Sequence, residues 1–368
     1  MTEFEKFLNS KPMAYKKIDL ERMPGAFEEI QHCFHIPKII HVVGTNGKGT
    51  TGRFIAELLR ANGFRVGHYS SPHIFKINER FWRDGEIVSD EVLEKAHRKL
   101  TLLLPKRYID SLSYFEYTTL MALPIFNHLH WLVLEAGLGG EFDATNVFPK
   151  EVSVVTPIGF DHQSFLGNTI EEIASTKLRS IGKMAVIAKQ RYSEIYPIVE
   201  KLAKERGSRV LYIRSEYGDF ISNNFATARK VGEILGLMNL NFSPSDFQLP
   251  AGRFQRVGKN IIVDVGHNLL SAERVLEKLK QIGWNRWNLV YNSFEDKPYR
   301  EILELFRPYI DEVEIVQIED NRIVPLKKLV AILEELNIPY RQWKGFRKNR
   351  KYLVFGSFRV VEEVLQNR

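Results

Sequence analysis

The stretch Gly44-Thr45-Asn46-Gly47-Lys48-Gly49-Thr50 restricts what this chain can fold into more than any other. An apolar run over 39–43 precedes it and reads as a buried parallel strand. A segment with Phe54, Ile55, Leu58 and Leu59 on one helical face follows, and stops at Asn62-Gly63. Strand, glycine-rich turn and helix N-terminus in that order make an anion site. The glycines let backbone N–H groups approach phosphate oxygens, and the helix dipole favours negative charge. In such a loop Lys48 reaches the β- and γ-phosphates, and Thr50 faces the phosphates or Mg²⁺. The spacing is tighter than in the usual phosphate loop, and Gly49 separates Lys48 from the hydroxyl residue.

A chain of 368 residues exceeds one ordinary core and implies two unequal domains. Apolar residues at 44% and charged residues at 26% place it among water-soluble globular proteins. No apolar run is long enough to span a bilayer, and the first residues lack signal-peptide form, so a cytoplasmic protein is expected. The single cysteine, Cys33, rules out an internal disulfide and fits a reducing compartment. A net charge of +7 permits an anionic partner. The densest basic run, 341–351, carries Trp343 and Phe346 between its cations and reads as a solvated loop. No nucleic-acid or membrane partner is expected, and the chain is expected to be a monomer.

Strand and helix patterns alternate along the chain. Residues 1–38 carry helical patterning at Phe4, Leu8, Ile18, Leu20 and Met23. Strands are expected over 64–69, 131–134, 152–155 and 185–188, and helices over 89–104, 115–126 and 223–237. The stretch 239–251, with Pro244 and Pro250, reads as a linker. Alternation then restarts, with strands over 261–265, 289–292, 313–316 and 352–355 and helices over 270–282, 299–306 and 326–336. The expected fold is α/β: a P-loop-type, mostly parallel sheet domain over 1–245, then a smaller Rossmann-like α/β domain over 246–368. Ligands in such sheets lie beyond the strand C-termini.

Further motifs sit at those strand ends. The second strand runs into Ser70-Ser71-Pro72-His73, and the strand over 131–134 delivers Glu135 and then Gly137-Leu138-Gly139-Gly140. A carboxylate at a strand tip near a phosphate loop is placed to hold Mg²⁺ on a nucleotide. Asp143-Ala144-Thr145-Asn146, Asp161-His162, Ile173-Ala174-Ser175-Thr176-Lys177, Gly252-Arg253-Phe254 and Asp264-Val265-Gly266-His267-Asn268 follow in order. Phe294-Glu295-Asp296-Lys297 and Gly356-Ser357-Phe358 close the series.

Together these motifs resemble the folylpolyglutamate synthase/dihydrofolate synthase family of the wider Mur ligase group, over about residues 18–365. The resemblance implies an ATP-dependent ligase that joins L-glutamate to dihydropteroate, to reduced folates, or to both, through an acyl phosphate. It implies that the loop from Gly44 to Thr50, with Asn224, Arg253, Asp264 and His267, binds the nucleotide. Ser71 and Glu135 would hold one Mg²⁺ and His162 a second. Lys48, His162 and Lys177 would serve the chemistry, Lys177 as a carbamate, with Phe115 and Asp143 at the pterin. The sequence departs from the family at Thr176, Leu178 and Arg179 beside Lys177, at Gly266 for alanine, at Phe220-Ile221 for His-Gln, and at Arg359 for histidine. A muropeptide-type ligase shares the chemistry, and a P-loop RNA-binding or regulatory ATPase would account for the basic run.

Overall fold

The computed structural model describes residues 2–13 and 19–367, so the helical reading of Ile18 lies outside the described residues. The chain divides into two compact units. The first comprises 1–158, 166–217 and 221–248; the second comprises 159–165, 218–220 and 249–368. Asp161 and His162, expected within the N-terminal domain, therefore pack as part of the second unit.

The first unit is built on eight strands: β1 (Lys38–Val43), β2 (Val66–Tyr69), β3 (Phe81–Arg83), β4 (Glu86–Ile87), β5 (Trp131–Glu135), β6 (Val152–Val155), β7 (Met184–Ile187) and β8 (Arg209–Tyr212). They lie in the order β4-β3-β2-β5-β1-β6-β7-β8. All pairings from β2 to β8 are parallel, and β3 and β4 add an antiparallel hairpin at one edge. The central strands are buried apolar runs because helices cover both faces of a parallel sheet. Register aligns Val42 with Glu135, Val43 with Val155, and Tyr69 with Leu134. Strands β2, β5, β1 and β6 thus end level, and their loops emerge along one edge.

The second unit contains β9 (Gln255–Arg256), β10 (Ile261–Val263), β11 (Trp287–Tyr291), β12 (Ile310–Ile315), β13 (Tyr340–Gln342) and β14 (Tyr352–Phe355), ordered β13-β12-β11-β14-β10-β9. Five strands are parallel and β9 is an antiparallel edge, giving a smaller Rossmann-like α/β sheet. Its core is formed by side chains such as Leu289, Ile302, Phe306, Val313 and Phe355.

Two expectations are corrected. The helix expected over 115–126 is two helices, Tyr114–Leu120 and Ala122–Phe126, because Pro124 has no N–H to continue the first ladder. The basic run is not a free loop. Arg341 lies in β13, and Arg341 and Arg347 both grip Glu314, whose side chain is fully buried, and Glu312 beside it. A buried carboxylate needs such partners, and Trp343 and Phe346 pack edge to face next to them.

The passage from the first unit to the second falls at Gln248–Leu249, within the expected linker, and the part before it is held to the first unit. Asn239 and Asn62 exchange hydrogen bonds, N–H to Oδ1 and Nδ2–H to O, both at 2.8 Å. Phe247 packs against Phe54 and Phe225, ring centroids 6.3 and 6.1 Å away. Phe247→Ala is expected to lower stability by about 1–2 kcal/mol and to accelerate chymotryptic cleavage within 239–251. Equal cleavage rates for variant and parent would count against the docked segment.

Candidate active site

Gly44 leaves β1 at φ 142° and Gly47 caps the helix Lys48–Ala61 at φ 84°, both in backbone regions that favour glycine. A Cβ on Gly44 would stand 2.0 Å from Thr156 Oγ1 and 2.8 Å from the Thr156 carbonyl. The loop backbone therefore lies directly on the end of β6. Thr45 and Asn46 both donate their N–H to the Pro157 carbonyl, at 3.0 and 3.1 Å. These two amides brace the loop. The first-turn N–H groups of Lys48, Gly49 and Thr50 are the ones with no acceptor within the helix. The Lys48 ammonium folds back to donate to the Gly44 and Thr45 carbonyls, each at 3.3 Å, over the mouth of the loop.

Three further elements reach this loop. The Lys177 side chain is buried, and its Nζ donates to the Gly44 carbonyl at 3.2 Å. Asn224, in the helix Phe220–Ile234, brings Oδ1 within 2.7 Å of where a Gly47 Cβ would stand. From the ends of β2 and β5, the Ser71 N–H donates to Glu135 Oε2 at 3.2 Å, and Glu135 is buried. Sequence motifs spread from Gly44 to Asn224 are thus brought to one edge of one sheet.

The residues that depart from the family around Lys177 have local partners. Thr176 packs its methyl on Gly139 and donates its hydroxyl to the Glu172 carbonyl. Arg179 pairs with Glu141 at 3.1 Å, so its charge is engaged by the glycine-rich turn rather than by Lys177.

Phe115 stacks under that turn: a Cβ on Gly137 would lie 2.6 Å from the Phe115 ring. Asp143 is buried, and its carboxylate accepts Leu138 N–H at 2.8 Å, Thr145 N–H at 2.9 Å and the Thr145 hydroxyl at 2.5 Å. Burial raises its pKa, and these hydrogen bonds with that of Gly137 N–H oppose the rise. Asp143 thus braces the turn between Glu135 and the short helix Ala144–Val147. A direct contact from Asp143 to a pterin would compete with those bonds.

In the second unit, Asp161 is a hub. Its carboxylate accepts from Lys297 Nζ at 2.8 Å, Asn268 Nδ2 at 3.0 Å and the His162 backbone N–H at 2.9 Å, and lies 3.3 Å from His267 Nε2. Burial alone would raise its pKa. The hydrogen bond from His267, with the charges of His267, His162 and Lys297, reverses that and holds it well below the carboxylate range. His162 itself sits at φ 51° with its side chain partly exposed. Asp264 accepts the N–H groups of Phe254 and Gly266, both at 2.8 Å, and braces the loops that carry Arg253 and His267. Arg253 lies over the Phe358 ring at 5.0 Å, and its buried Nε has no acceptor among the described residues. Gly266 replaces the family's alanine for a reason visible here: a Cβ would fall 2.6 to 2.8 Å from Phe355, Ser271 and Asp264. The Asp161 hub, with Lys297 and Asn268, was not legible as a unit in the sequence, although each residue lay in a recognised motif.

No sequence-family model matches the chain. The dihydrofolate synthase/folylpolyglutamate synthase of Haemophilus influenzae is 30% identical over 95% of this chain and 93% of its own. The chain belongs to the dihydrofolate synthase/folylpolyglutamate synthase family. The crystal structure of Helicobacter pylori folylpolyglutamate synthetase superposes with a TM-score of 0.80 at 36% identity, covering 99% of this chain and 97% of that one. The Escherichia coli enzyme of the family, solved with DHPP and ADP, gives 0.82 at 26% identity over 98% and 95%. The chain is accordingly an ATP-dependent ligase of the dihydrofolate synthase/folylpolyglutamate synthase type, and the muropeptide-ligase and RNA-binding ATPase readings give way to it. No helix among the described residues is long and apolar enough to cross a membrane.

Gly44→Ala is expected to weaken nucleotide binding by about tenfold or more, because the loop must lift off Thr156 to admit the methyl group. Titration with a fluorescent ADP analogue, with circular dichroism as a check on folding, measures this. Parent-like affinity would contradict the close approach.

Proposed function

We propose that this chain, acting as a monomer, joins the amino group of L-glutamate to the carboxylate of dihydropteroate, of a reduced folate, or of both. The level edge of the first sheet carries the reading: phosphate loop, Ser71–Glu135 pair and Lys177 amine together, with the Phe115–Gly137 wall beside them. The substrate carboxylate takes the γ-phosphoryl group of ATP, leaving ADP and an acyl phosphate. The glutamate amine attacks the acyl carbon, the C–N bond forms, the C–O bond to phosphate breaks, and the amine loses a proton.

Two anions must meet in the first step, so the site has to offer concentrated positive charge. Lys48 supplies a mobile cation that can exchange its carbonyl partners for phosphate oxygens. The free first-turn N–H groups supply fixed dipoles. In the second unit, the Arg253 guanidinium and the imidazole of His267, held by Asp161, are the groups proposed to meet the nucleotide.

Among the described residues no three His, Cys, Asp or Glu side chains cluster as a metal site. That suits Mg²⁺, which is commonly held by one or two protein oxygens and completes its shell with water and phosphates. Ser71 and Glu135 are the residues proposed to hold it, and when bound it neutralises phosphate charge. A second ion at His162 and carbamylation of Lys177 extend the reading. In support, the Lys177 amine is buried and touches the phosphate loop, where an added anionic group would face the nucleotide.

ADP release measured with dihydropteroate and with tetrahydrofolate, each with and without glutamate, tests the activity. Turnover with neither acceptor would overturn it. Glu135→Gln should keep the fold and reduce turnover by about 10²-fold at saturating Mg²⁺. Lys177→Ala should lose most activity and regain part of it in acetate or formate, which supply the missing carboxylate oxygens. An alanine variant of parent activity would dispose of the carbamate.

A further inference from the structure

Strand β1 hides a histidine in an otherwise apolar run. His41 is fully buried, three residues before the phosphate loop, and its Nε2 lies 2.7 Å from the Thr145 hydroxyl. Thr145, also fully buried, donates that hydroxyl to Asp143 at 2.5 Å. On the other side of the imidazole, the Lys150 ammonium lies 3.5 Å from Nδ1, held there by the Ser180 carbonyl at 3.0 Å and by Asn146 Oδ1. Asn146 in turn donates to the Glu141 carbonyl at 2.8 Å. The run Asp143-Ala144-Thr145-Asn146 and the histidine of β1 are one connected polar network.

The donors and acceptors give the network a direction. The Asp143 carboxylate accepts two backbone N–H groups, and the Thr145 hydroxyl donates its proton to it as well. Thr145 Oγ1 must then accept from His41 Nε2–H, which leaves the Nδ1 lone pair facing Lys150. Burial, followed by the charge of Lys150, pushes the His41 pKa well below its ordinary value and keeps the ring neutral. From Asp143 the chain ends on the N–H groups of the turn that follows Glu135 and packs against Phe115.

We infer that His41 and Thr145 are positioning residues for the acceptor substrate: the chain Lys150–His41–Thr145–Asp143 orients the Asp143 carboxylate, and through it the Gly137–Leu138 turn against which the pterin acid is bound. The inference rests on the proposed placement of that substrate beside the Phe115–Gly137 wall. It goes further in assigning substrate affinity to two buried side chains that touch neither substrate nor nucleotide.

The test compares Thr145→Val, which keeps the shape and removes the hydroxyl, with Thr145→Ser, which keeps the hydroxyl. Thr145→Val should raise KM for the pterin substrate about tenfold, with kcat and KM for ATP within about twofold of the parent. Thr145→Ser should restore the pterin KM. ¹⁵N spectra of histidine-labelled enzyme, with His41 assigned by its loss in His41→Gln, should show the neutral Nε2–H tautomer. A parent-like Thr145→Val, a loss spread equally over both substrates and kcat, a serine variant that does not rescue, or an Nδ1–H or charged His41 would each overturn the inference. A parent enzyme with no turnover on either pterin acid would instead overturn the functional reading beneath it, and the tautomer measurement would still stand.

Discussion

The close approach of Gly44 to Thr156 is the constraint on which the rest of the site depends. Because no side chain intervenes, the loop after β1 lies on the end of β6, and its Thr45 and Asn46 amides can reach Pro157. That contact turns the Gly44 carbonyl toward two amines, Lys48 from the loop's own helix and Lys177 from the helix Ile170–Leu178. Level register in the parallel sheet then brings Ser71 and Glu135 to the same height. Backbone geometry, rather than any one charged residue, gathers the cations.

Much of this was readable from local pattern. Buried parallel strands are apolar runs, so β1, β5, β6 and β14 stand out, and glycine-rich turns at their ends mark the edge where ligands bind. Shorter elements lack that signal. The hairpin of β3 and β4 has only Asp84-Gly85 to announce it, both at positive φ, between strands of three and two residues. The helices Ile195–Arg206 and Phe358–Gln366 and the edge strands β8, β9 and β13 also lay outside the expected pattern.

Among site residues, the limit was partnership. A strand-tip carboxylate or a loop lysine declares its chemistry by its neighbours in sequence. His41 and Thr145 are 104 positions apart, and Asp161 and Lys297 are 136 apart. Pairings at such separation leave no periodicity or spacing in the chain. For the same reason the basic run looked solvated, since its counterions Glu312 and Glu314 belong to a different strand. The use of Asp143 by the turn's own N–H groups is likewise visible only in three dimensions.

The second unit is discontinuous, and this governs how the chain can be made or cut. Its nearly buried Lys297 is paired with Asp161, and its Lys278 is paired with Asp219 and lies over the Phe220 ring. On the ribosome those acidic segments emerge well before the stretch from 249 onward, so the unit cannot complete itself until the C-terminal third has been synthesised. A fragment starting at Leu249 would lack Asp161 and Asp219, the partners of Lys297 and Lys278. The protein can be read as two units yet cannot be divided into two pieces by a single cut.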